Sequence, residues 1–481
     1  MNPFTANPLN QLSVLSLEDV KKIHEASLRI LSEAGVLVES DEAVHLFETA
    51  GATAEKRADG YLVKLPPALI ESCIESAPKD IVWYGRVPGR DYDSSKGNVA
   101  FSTFGECVKI IDPATKEVRA TRKEDVAGIT KVCDFFDEIA VVERACGSLD
   151  LPAAVQPAHN FDAMVRSTSK AIFLAAVNRE NAETIVEMAQ AVAGGEGKLR
   201  ERPFLNFFVC PVSPLILGQG CCDVAITAAR AGVGVATIPM SLSGATSVAT
   251  LAGVVAQHNA EVLATLALTQ LAAKGTRFFY CSMTTIMDLK YMIPATGAPE
   301  HSLIGGAVVK MAQHYGLPSW IGGGVSDSKL PDAQAGYEYA LGALFGALSG
   351  ASITYGAGAL ESCLLIDYAK LVMDCESLGF IRRLLAGIAV DDETLALDLI
   401  LRKGPKVDFI MEDHTLDHMH EQTPVRAFSR IPRDSWAQKG ALPADEAAYL
   451  RAAEILKTHE VEPLPDGVAG KLDSILASRL K

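Results

Sequence analysis

The sequence predicts an α/β protein built on a (β/α)₈ barrel. Between about residues 140 and 390, short apolar runs alternate with segments that carry apolar residues at helical spacing. The runs are apolar along nearly their whole length, which is typical of parallel strands covered on both faces. A chain of 481 residues is long enough for one very large domain or two. A doubly wound open sheet is the alternative, but its GxGxxG fingerprint is absent.

The predicted elements follow one another without a long linker or a repeat. Seven runs are predicted as strands: 140–145, 171–177, 204–210, 234–239, 277–282, 319–323 and 351–355. Six segments are predicted as helices: 182–192, 222–231, 248–273, 300–315, 333–348 and 368–386. Seven strands are one short of a closed barrel, and residues 407–411 are predicted to supply the eighth.

The two ends of the chain have different patterns. Residues 1–135 combine helical segments at 17–34, 41–50 and 66–77 with strands at 81–84 and 108–112, and they predict an α+β elaboration packed on the barrel. Residues 136–430 are predicted to form the barrel domain. Residues 431–481 form a charged, helical extension that is broken by Pro463, Pro465 and Gly467.

The composition indicates an acidic cytoplasmic protein. The net charge of −15 argues against nucleic acid and anionic membranes as partners, because both attract clustered positive charge. No apolar stretch reaches 18 uninterrupted residues, and residues 1–10 lack the pattern of a secretory signal. The ten cysteines include no CxxC and are typical of reduced thiols.

Motifs for resident cofactors are missing. The sequence has no GxxxxGK[ST], HExxH or GxSxG. His418 and His420, near His414, form the one dense histidine cluster, and both a metal site and a solvated loop are open readings of it. We therefore expect no metal and no organic cofactor bound by this chain.

Active sites of barrels form at the carboxyl ends of the strands, so the residues there are the candidates. These ends are 280–284 (YCSMT), 322–329 (GGGVSDSK) with Gln334 opening the next helix, and 355–358 (YGAG) with Glu361 beyond. Three consecutive glycines predict that a large group approaches the backbone closely. Four aromatic residues are predicted at the mouth, where such rings form cages for quaternary ammonium ions: Phe208, Tyr280, Trp320 and Tyr355.

Blocks along most of the chain resemble the trimethylamine methyltransferase superfamily, in the branch that lacks pyrrolysine. They are 101–112 with 119–125, 239–253 (PMSLSGATSVATLAG), 259–270 (NAEVLATLALTQ), 297–302 (GAPEHS), 315–337, 356–361, 371–376 (LVMDCE) and His414–Thr415–Leu416 with His418. The resemblance implies a (β/α)₈ barrel that moves a methyl group from an amine to the Co(I) of a corrinoid. DxHxxG, by which a chain holds its own corrinoid, is absent, so the corrinoid must be carried by a separate partner protein.

Two departures from the family pattern leave the substrate open. No position is pyrrolysine, and Tyr355 stands where the family often has His. Residues 421–428 also replace a block rich in Trp and Pro. A quaternary ammonium leaves as a neutral tertiary amine without a general acid, whereas trimethylamine would first need activation. The expected substrate is therefore a betaine, such as glycine betaine, proline betaine, carnitine or butyrobetaine.

With this resemblance, each candidate residue has an expected role. We predict Tyr355, Glu361 and Asp327 as catalytic residues, and Tyr355→Ala is expected to raise the amine concentration for half-maximal rate roughly tenfold with the fold intact. The predicted substrate-binding residues are Phe208, Tyr280, Trp320, Gln334, Glu106 and His414. The expected partners are the corrinoid protein, the amine and further copies of this chain.

Two other functions remain open at this point. One is a barrel lyase or aldolase that uses Lys329 as a Schiff base or a metal bound by Asp327. The other is a protein that binds a betaine without catalysis. Borohydride trapping, metal content or binding without methyl transfer would distinguish them.

Overall fold

The computed structural model describes residues 12–79, 81–94 and 99–479. Eight strands form a closed barrel in which every neighbouring pair is parallel. In chain order they are β1 Ala100–Thr103, β2 Ile139–Glu143, β3 Ala171–Ala175, β4 Leu205–Val209, β5 Gly234–Thr237, β6 Phe278–Ser282, β7 Ser319–Gly322 and β8 Ile353–Ala357. This confirms the predicted (β/α)₈ barrel.

One long helix follows each strand, so the helices form an outer ring. They are α1 Lys123–Phe135, α2 Gln156–Ser167, α3 Arg179–Ala193, α4 Gln219–Ala231, α5 Leu251–Ala272, α6 Pro299–Tyr315, α7 Ala333–Leu348 and α8 Tyr368–Leu385. Side-chain caps begin several of them: Asp332 accepts from the backbone N–H of Ala335, and Asp367 from that of Lys370. Within the described chain, α5 is the one helix long and apolar enough to cross a membrane, and most of it is buried in the protein.

The seven predicted strands are β2 to β8, but the predicted eighth is wrong. Residues 407–411 form no strand and expose Val407 and Met411. The remaining strand is β1, which pairs with β8 on one side and β2 on the other. The barrel therefore begins near residue 100, and the predicted division at residue 135 has to move toward the amino terminus.

The segment before the barrel covers its side and its amino end. The helices Leu17–Arg29 and Pro67–Ser76 pack against α5. The strands Val36–Val38, Thr53–Arg57 and Gly60–Lys64 between them form a small sheet with Ile216–Leu217, which lies between β4 and α4. A hairpin of Val82–Trp83 and Tyr92–Asp93 closes the amino end of the barrel. Residues 1–10, for which no signal sequence is predicted, lie outside the described residues.

A column of aromatic rings fills the barrel from this hairpin upward. Trp83 stacks on Trp320 with ring centroids 5.5 Å apart and planes 21° apart. Trp320 contacts Phe173 at 4.4 Å and Phe208 at 5.0 Å. The interior below Phe208 is therefore packed with side chains, as in other barrels of this type, and open space remains above it.

Short elements surround the carboxyl end and the tail. Two small sheets consist of Lys109–Ile111, Val118–Ala120, Ala359–Leu360 and Leu365–Ile366, and of Leu242–Ser243, Thr285–Asp288 and Ile293–Ala295. Short helices lie at Glu196–Glu201, Glu361–Cys363, Asp392–Leu395, Leu397–Lys403, Asp413–His418, Met419–Glu421 and Arg433–Gln438. The final helices, Ala444–Thr458 and Val468–Arg479, pack on α8 and on α3.

Candidate active site

A cavity of 340 Å³ lies at the carboxyl end of the barrel. Its walls come from the ends of β1 to β6 and from the start of α4, so it sits to one side of the barrel axis. The lining residues are Phe104, Gly105, Glu106, Glu143, Arg144, Leu174, Ala175, Ala176, Val177, Phe208, Val209, Cys210, Gly220, Cys221, Val224, Ile238, Met240 and Met283. Most of these side chains are apolar, so a bound molecule would be largely removed from water.

Glu143 is the buried acid of the cavity. It ends β2, and 4% of the residue is exposed. Its carbonyl accepts a hydrogen bond of 2.7 Å from the Thr103 hydroxyl, but its carboxyl Oε2 has no hydrogen-bond partner within the described residues. Burial raises the pKa of Glu143 well above its usual range; Glu106 raises it further and Arg144 lowers it. An unpartnered buried carboxyl in a cavity is a group that a cationic ligand could satisfy.

Arg144 places a positive charge beside this acid. Its side chain is 11% exposed and forms an ion pair with Glu106, whose side chain is 61% exposed on the loop after β1. The Arg144 Nε has no hydrogen-bond partner among the residues described. Glu106 and Arg144 also line a cleft of 530 Å³, so the ion pair stands between the cavity and that cleft. Because Glu106 is exposed, an incoming carboxylate can compete with it for Arg144.

Two aromatic rings line the cavity, and a third supports one of them. Phe104 and Phe208 both face it. Tyr355 lies behind Phe104, with the two rings stacked at 4.2 Å. The Tyr355 hydroxyl donates to the Ser282 carbonyl at 2.6 Å, and burial raises the pKa of this phenol well above its usual range. Tyr355 is 1% exposed and is not among the lining residues, so this predicted catalytic residue lies behind the ring of Phe104.

Asp327 holds the loop after β7 in place. Its carboxylate accepts hydrogen bonds from the Thr296 backbone at 3.0 Å, the Thr296 hydroxyl at 2.9 Å and the Ser362 hydroxyl at 2.6 Å. A fourth bond of 3.0 Å comes from the Gly297 N–H. Both carboxylate oxygens are occupied, and Asp327 does not line the cavity. The structure therefore places this predicted catalytic residue outside the cavity, where its carboxylate holds the loop together.

Glu361 starts a left-handed turn that packs on the same loop. Glu361, Ser362 and Cys363 all have positive φ, at 49°, 54° and 71°, a conformation that non-glycine residues rarely adopt. The Glu361 N–H donates to the Ser328 carbonyl at 2.9 Å. The Glu361 carboxylate lies 3.5 Å from Lys109 and outside the cavity. The turn places the Cys363 thiol in the barrel interior, whereas the Glu361 carboxylate stays near the surface.

The three glycines after β7 make room for neighbouring helices. A Cβ on Gly322 would lie 2.2 Å from the His301 ring, one on Gly323 2.3 Å from Thr354, and one on Gly324 2.4 Å from the Tyr339 ring. Gly342 of α7 would in turn place a Cβ 2.1 Å from the Gly323 carbonyl oxygen. The groups that approach this backbone closely are therefore parts of the protein itself, namely α6, α7 and β8.

Two of the predicted rings lie away from the cavity. Tyr280 is buried between β6 and α5, where its hydroxyl donates to the Asn259 side chain at 2.6 Å. Side chains alternate along a strand, so Cys281 and Phe279 point into the barrel and Tyr280 points out. Trp320 does point inward, but it lies one layer below Phe208. Among the four predicted rings, Phe208 is the one that lines the cavity.

Gln334 and His414 are farther away still. Gln334 is exposed at the start of α7 and donates to Glu338 at 2.9 Å. His414 lies on the helix Asp413–His418 and lines a separate surface cleft. The segment that carries it is attached to the amino half of the barrel, where the Arg426 backbone N–H donates to Glu376 and its guanidinium pairs with Glu138. Neither residue is brought to the site.

Sequence reasoning missed Phe104, Glu143 and Arg144. Glu143 and Arg144 fall within the predicted strand 140–145, where an acid and a base follow the apolar run directly. Applying the carboxyl-end rule to this strand, as to the later ones, would have selected both. Phe104 could not be selected in this way because β1 was not recognised. Among the residues that the structure describes, no group of three or more His, Cys, Asp or Glu is placed to hold a metal ion.

Comparison with known proteins agrees with the resemblance noted above. The profile of a family described as trimethylamine methyltransferase matches residues 1–481. A trimethylamine methyltransferase of Desulfitobacterium hafniense is 43% identical over 97% of this chain and 93% of its own. A glycine betaine methyltransferase of the same species is 29% identical over 98% of both chains. The crystal structure of the Methanosarcina barkeri monomethylamine methyltransferase shares the fold, with a TM-score of 0.52 and 11% identity over 92% of this chain and 93% of that one.

Proposed function

Since the chain belongs to the trimethylamine methyltransferase family and is a methyltransferase, we propose that its methyl donor is a quaternary amine of the betaine class. The acceptor is the Co(I) of a corrinoid carried by a separate protein. The chain itself binds no metal and no organic cofactor in this proposal. The donors that fit are glycine betaine, proline betaine, carnitine and butyrobetaine.

The observation that carries this proposal is the pairing of both signs of charge in one apolar cavity. Glu143 offers a carboxyl to the ammonium group, and Arg144 offers a guanidinium to the carboxylate of the same molecule. The rings of Phe104 and Phe208 add faces that attract a cation. A betaine is a zwitterion with these two charges, whereas trimethylamine and tetramethylammonium have no group for Arg144.

The cavity supports catalysis by positioning and by exclusion of water. A methyl group on a quaternary nitrogen needs in-line approach by the cobalt and a leaving amine that departs neutral. The described lining contains the carboxyl groups of Glu143 and Glu106, and departure of the amine requires a proton from neither. Holding the donor at a fixed position relative to the incoming corrinoid would supply most of the rate enhancement.

The adjoining cleft is where we place the corrinoid protein. The cleft opens beside Arg144 and carries the amide side chains of Gln156, Asn160, Asn178 and Asn181. A corrin ring bears carboxamide side chains on its edge, and amides both donate and accept hydrogen bonds. The short path from this cleft to the cavity would let the cobalt reach the donor past the Glu106–Arg144 pair.

The two alternative functions receive less support. Lys329 is exposed and donates to the Asp327 carbonyl at 2.6 Å, and neither residue lines the cavity, so a Schiff base or a metal there would lie away from the enclosed space. A protein that binds a betaine without catalysis could use the same cavity. It is disfavoured because the named relatives are methyltransferases over nearly their whole length.

We also propose a cytoplasmic location and self-association. All ten cysteines are free, which suits a reducing compartment. Several large apolar side chains between residues 388 and 411 are exposed and would be covered in an assembly of copies: Ile388, Val390, Leu401, Ile410 and Met411.

The direct test is methyl transfer to a Co(I) corrinoid protein, followed by the change in the corrinoid absorption spectrum. We expect transfer from glycine betaine or a larger betaine and none from trimethylamine. Arg144→Gln should lower kcat/KM for the betaine by roughly tenfold to a hundredfold, because the variant loses one or two charge-assisted hydrogen bonds to the carboxylate. Binding of tetramethylammonium should change less than threefold in the same variant. Efficient methylation from trimethylamine would contradict the proposal.

A further inference from the structure

The state of Glu143 before the donor arrives follows from its surroundings. Its carboxyl is buried, Oε2 has no partner in the described chain, and the lining of the cavity includes the rings of Phe104 and Phe208 and the thioethers of Met240 and Met283. Removal from water disfavours the charged form of a carboxyl, and the raised pKa of Glu143 expresses this. These surroundings therefore favour a neutral, protonated Glu143.

The groups around Glu143 do not supply a free counter-charge. Burial and the Glu106 charge raise the pKa of Glu143 more than Arg144 lowers it, and the Arg144 guanidinium is already paired with Glu106. Burial raises the pKa of the Cys281 thiol, and an ionised Glu143 would raise it further. Burial also raises the pKa of the Cys363 thiol and of the Tyr355 hydroxyl, and the nearby Cys363 adds to the effect on Tyr355. Cys281, Cys363 and Tyr355 are therefore neutral near pH 7. In the described cavity, a cationic ligand is therefore the main charge that can stabilise ionised Glu143.

We propose that Glu143 gives up its proton when a quaternary ammonium ion enters the cavity, so that binding of the donor releases one proton. A quaternary nitrogen carries a fixed charge and has no N–H to donate, so its attraction to Glu143 depends on the carboxylate form. This inference rests on the proposed function, because it takes the ammonium ion as the ligand.

The same proton has to return once during each turnover. In methyl transfer the carbon–nitrogen bond breaks and the nitrogen keeps its electron pair, while the Co(I) acceptor supplies the pair for the new bond to carbon. The donor thus becomes a neutral tertiary amine, and the Glu143 carboxylate loses its counter-ion. The site then takes up one proton, which is on Glu143 once the amine has left with a neutral nitrogen, so the protein returns to its starting charge.

Calorimetry without the corrinoid protein tests the release directly. Glycine betaine and tetramethylammonium are titrated into the protein near pH 7 in buffers of different ionisation enthalpy. The slope of binding enthalpy against buffer enthalpy gives the number of protons released. We expect a value close to one for the wild-type protein and close to zero for Glu143→Gln, with at least tenfold weaker binding in that variant.

Two controls keep the test sharp. Glu361→Gln removes a carboxylate that lies outside the cavity and leaves the Glu106–Arg144 pair intact, so this variant should still release one proton. Loss of the protonated-carboxyl band in the infrared difference spectrum of the wild-type protein provides a measurement that does not depend on a variant folding. That band should disappear on addition of tetramethylammonium.

The outcomes separate this inference from the proposed function. A proton count near zero in the wild-type protein, or an unchanged count in Glu143→Gln, would overturn the inference even if betaine-dependent methyl transfer is observed. Release of one proton on binding, with no transfer to any corrinoid protein, would instead support the role of Glu143 and contradict the proposed reaction.

Discussion

The end of β2 and the loop after β7 lie at the same end of the barrel, but they differ in how fully the protein satisfies the hydrogen bonds of their charged groups. After β7, Asp327 accepts four hydrogen bonds from Thr296, Gly297 and Ser362. After β2, the Glu143 Oε2 and the Arg144 Nε have no partner in the described chain. Buried polar groups are normally satisfied by the protein, so a group left unsatisfied beside a cavity indicates where a ligand belongs.

The residues that stand out in the sequence are not the ones that supply charge to the cavity. The β7 loop attracts attention through its three glycines and its acid, yet those residues serve close packing of α6, α7 and the turn at Glu361. The β2 loop has no such signature and supplies the two charges of the cavity. Substitutions in the two loops should accordingly act on different quantities.

Among substitutions in or against the two loops, the largest effect on the free energy of unfolding is expected where α7 packs on the β7 loop. Gly342→Ala would place a Cβ 2.1 Å from a backbone oxygen that cannot rotate away. We expect the free energy of unfolding to fall by about 3 kcal/mol or more, because overpacking forces the helix to shift. Gly336→Ala is the control on the same helix, where nothing lies within 4 Å of the new Cβ, and it should be neutral or stabilising by up to about 1 kcal/mol. Equal melting temperatures for the two variants would contradict this account.

An intermediate effect is expected for Asp327→Asn. The amide keeps the shape of the side chain but turns an NH₂ group toward donors that now lack an acceptor, so stability should fall by about 2 kcal/mol. Affinity for the amine should change little in the folded protein. Glu361→Gln is the comparison. Within the described residues the ion-pair partner of its carboxylate is Lys109 at 3.5 Å, so this substitution should change the stability by less than about 0.5 kcal/mol. Urea unfolding with the affinity measured in parallel distinguishes a structural role for Asp327 from a catalytic one.

The smallest effect on stability should have the opposite sign. The folded pKa of Glu143 lies above the value of 4.5 that applies to the unfolded chain. The stability that Glu143 contributes is therefore present at acidic pH and is lost as the pH rises from the unfolded toward the folded pKa. Because glutamine does not ionise, the free energy of unfolding of Glu143→Gln should not fall in this pH range. It should be about 1 kcal/mol higher than that of the wild-type protein at pH 8, and the difference should vanish toward pH 4. A difference that grows toward acid would show that the sign is wrong.

The structure also changes the expectation for Tyr355→Ala. Because the ring is 1% exposed and stacked on Phe104, its removal leaves a cavity in the barrel interior. Such large-to-small substitutions cost about 3–5 kcal/mol, so an intact fold is no longer expected.

Most of the barrel could be predicted from the sequence because its strands are buried on both faces. The bounds 333–348 of α7 were predicted to the residue. β1 was missed because it has four residues, of which Ser102 and Thr103 are polar. Residues 407–411 were chosen instead because an apolar run does not reveal whether it is buried, and Met411 is in fact 90% exposed.

The site was harder to predict for a related reason. In a strand that is apolar on both faces, the sequence does not show which residues point inward. The sequence pattern therefore predicts Tyr280 at the barrel mouth, whereas its neighbour Cys281 is the residue that points inward. Phe208, also predicted at the mouth, does line the cavity. The direction of a side chain and the absence of a hydrogen-bond partner are properties of the fold, and both Glu143 and Arg144 are recognised through them.

The aromatic column of the barrel has a spectroscopic consequence. The chain has three tryptophans, and Trp83 and Trp320 are the two that lie in the dry interior, stacked on each other. Trp320 also touches Phe208, whose other side faces the cavity. A cation bound there sits one ring away from an indole pair shielded from solvent, and its electric field would shift their emission. The intrinsic fluorescence of Trp83 and Trp320 should therefore report binding in the cavity without a label. The measurement needs no corrinoid, whose strong absorption would mask the fluorescence.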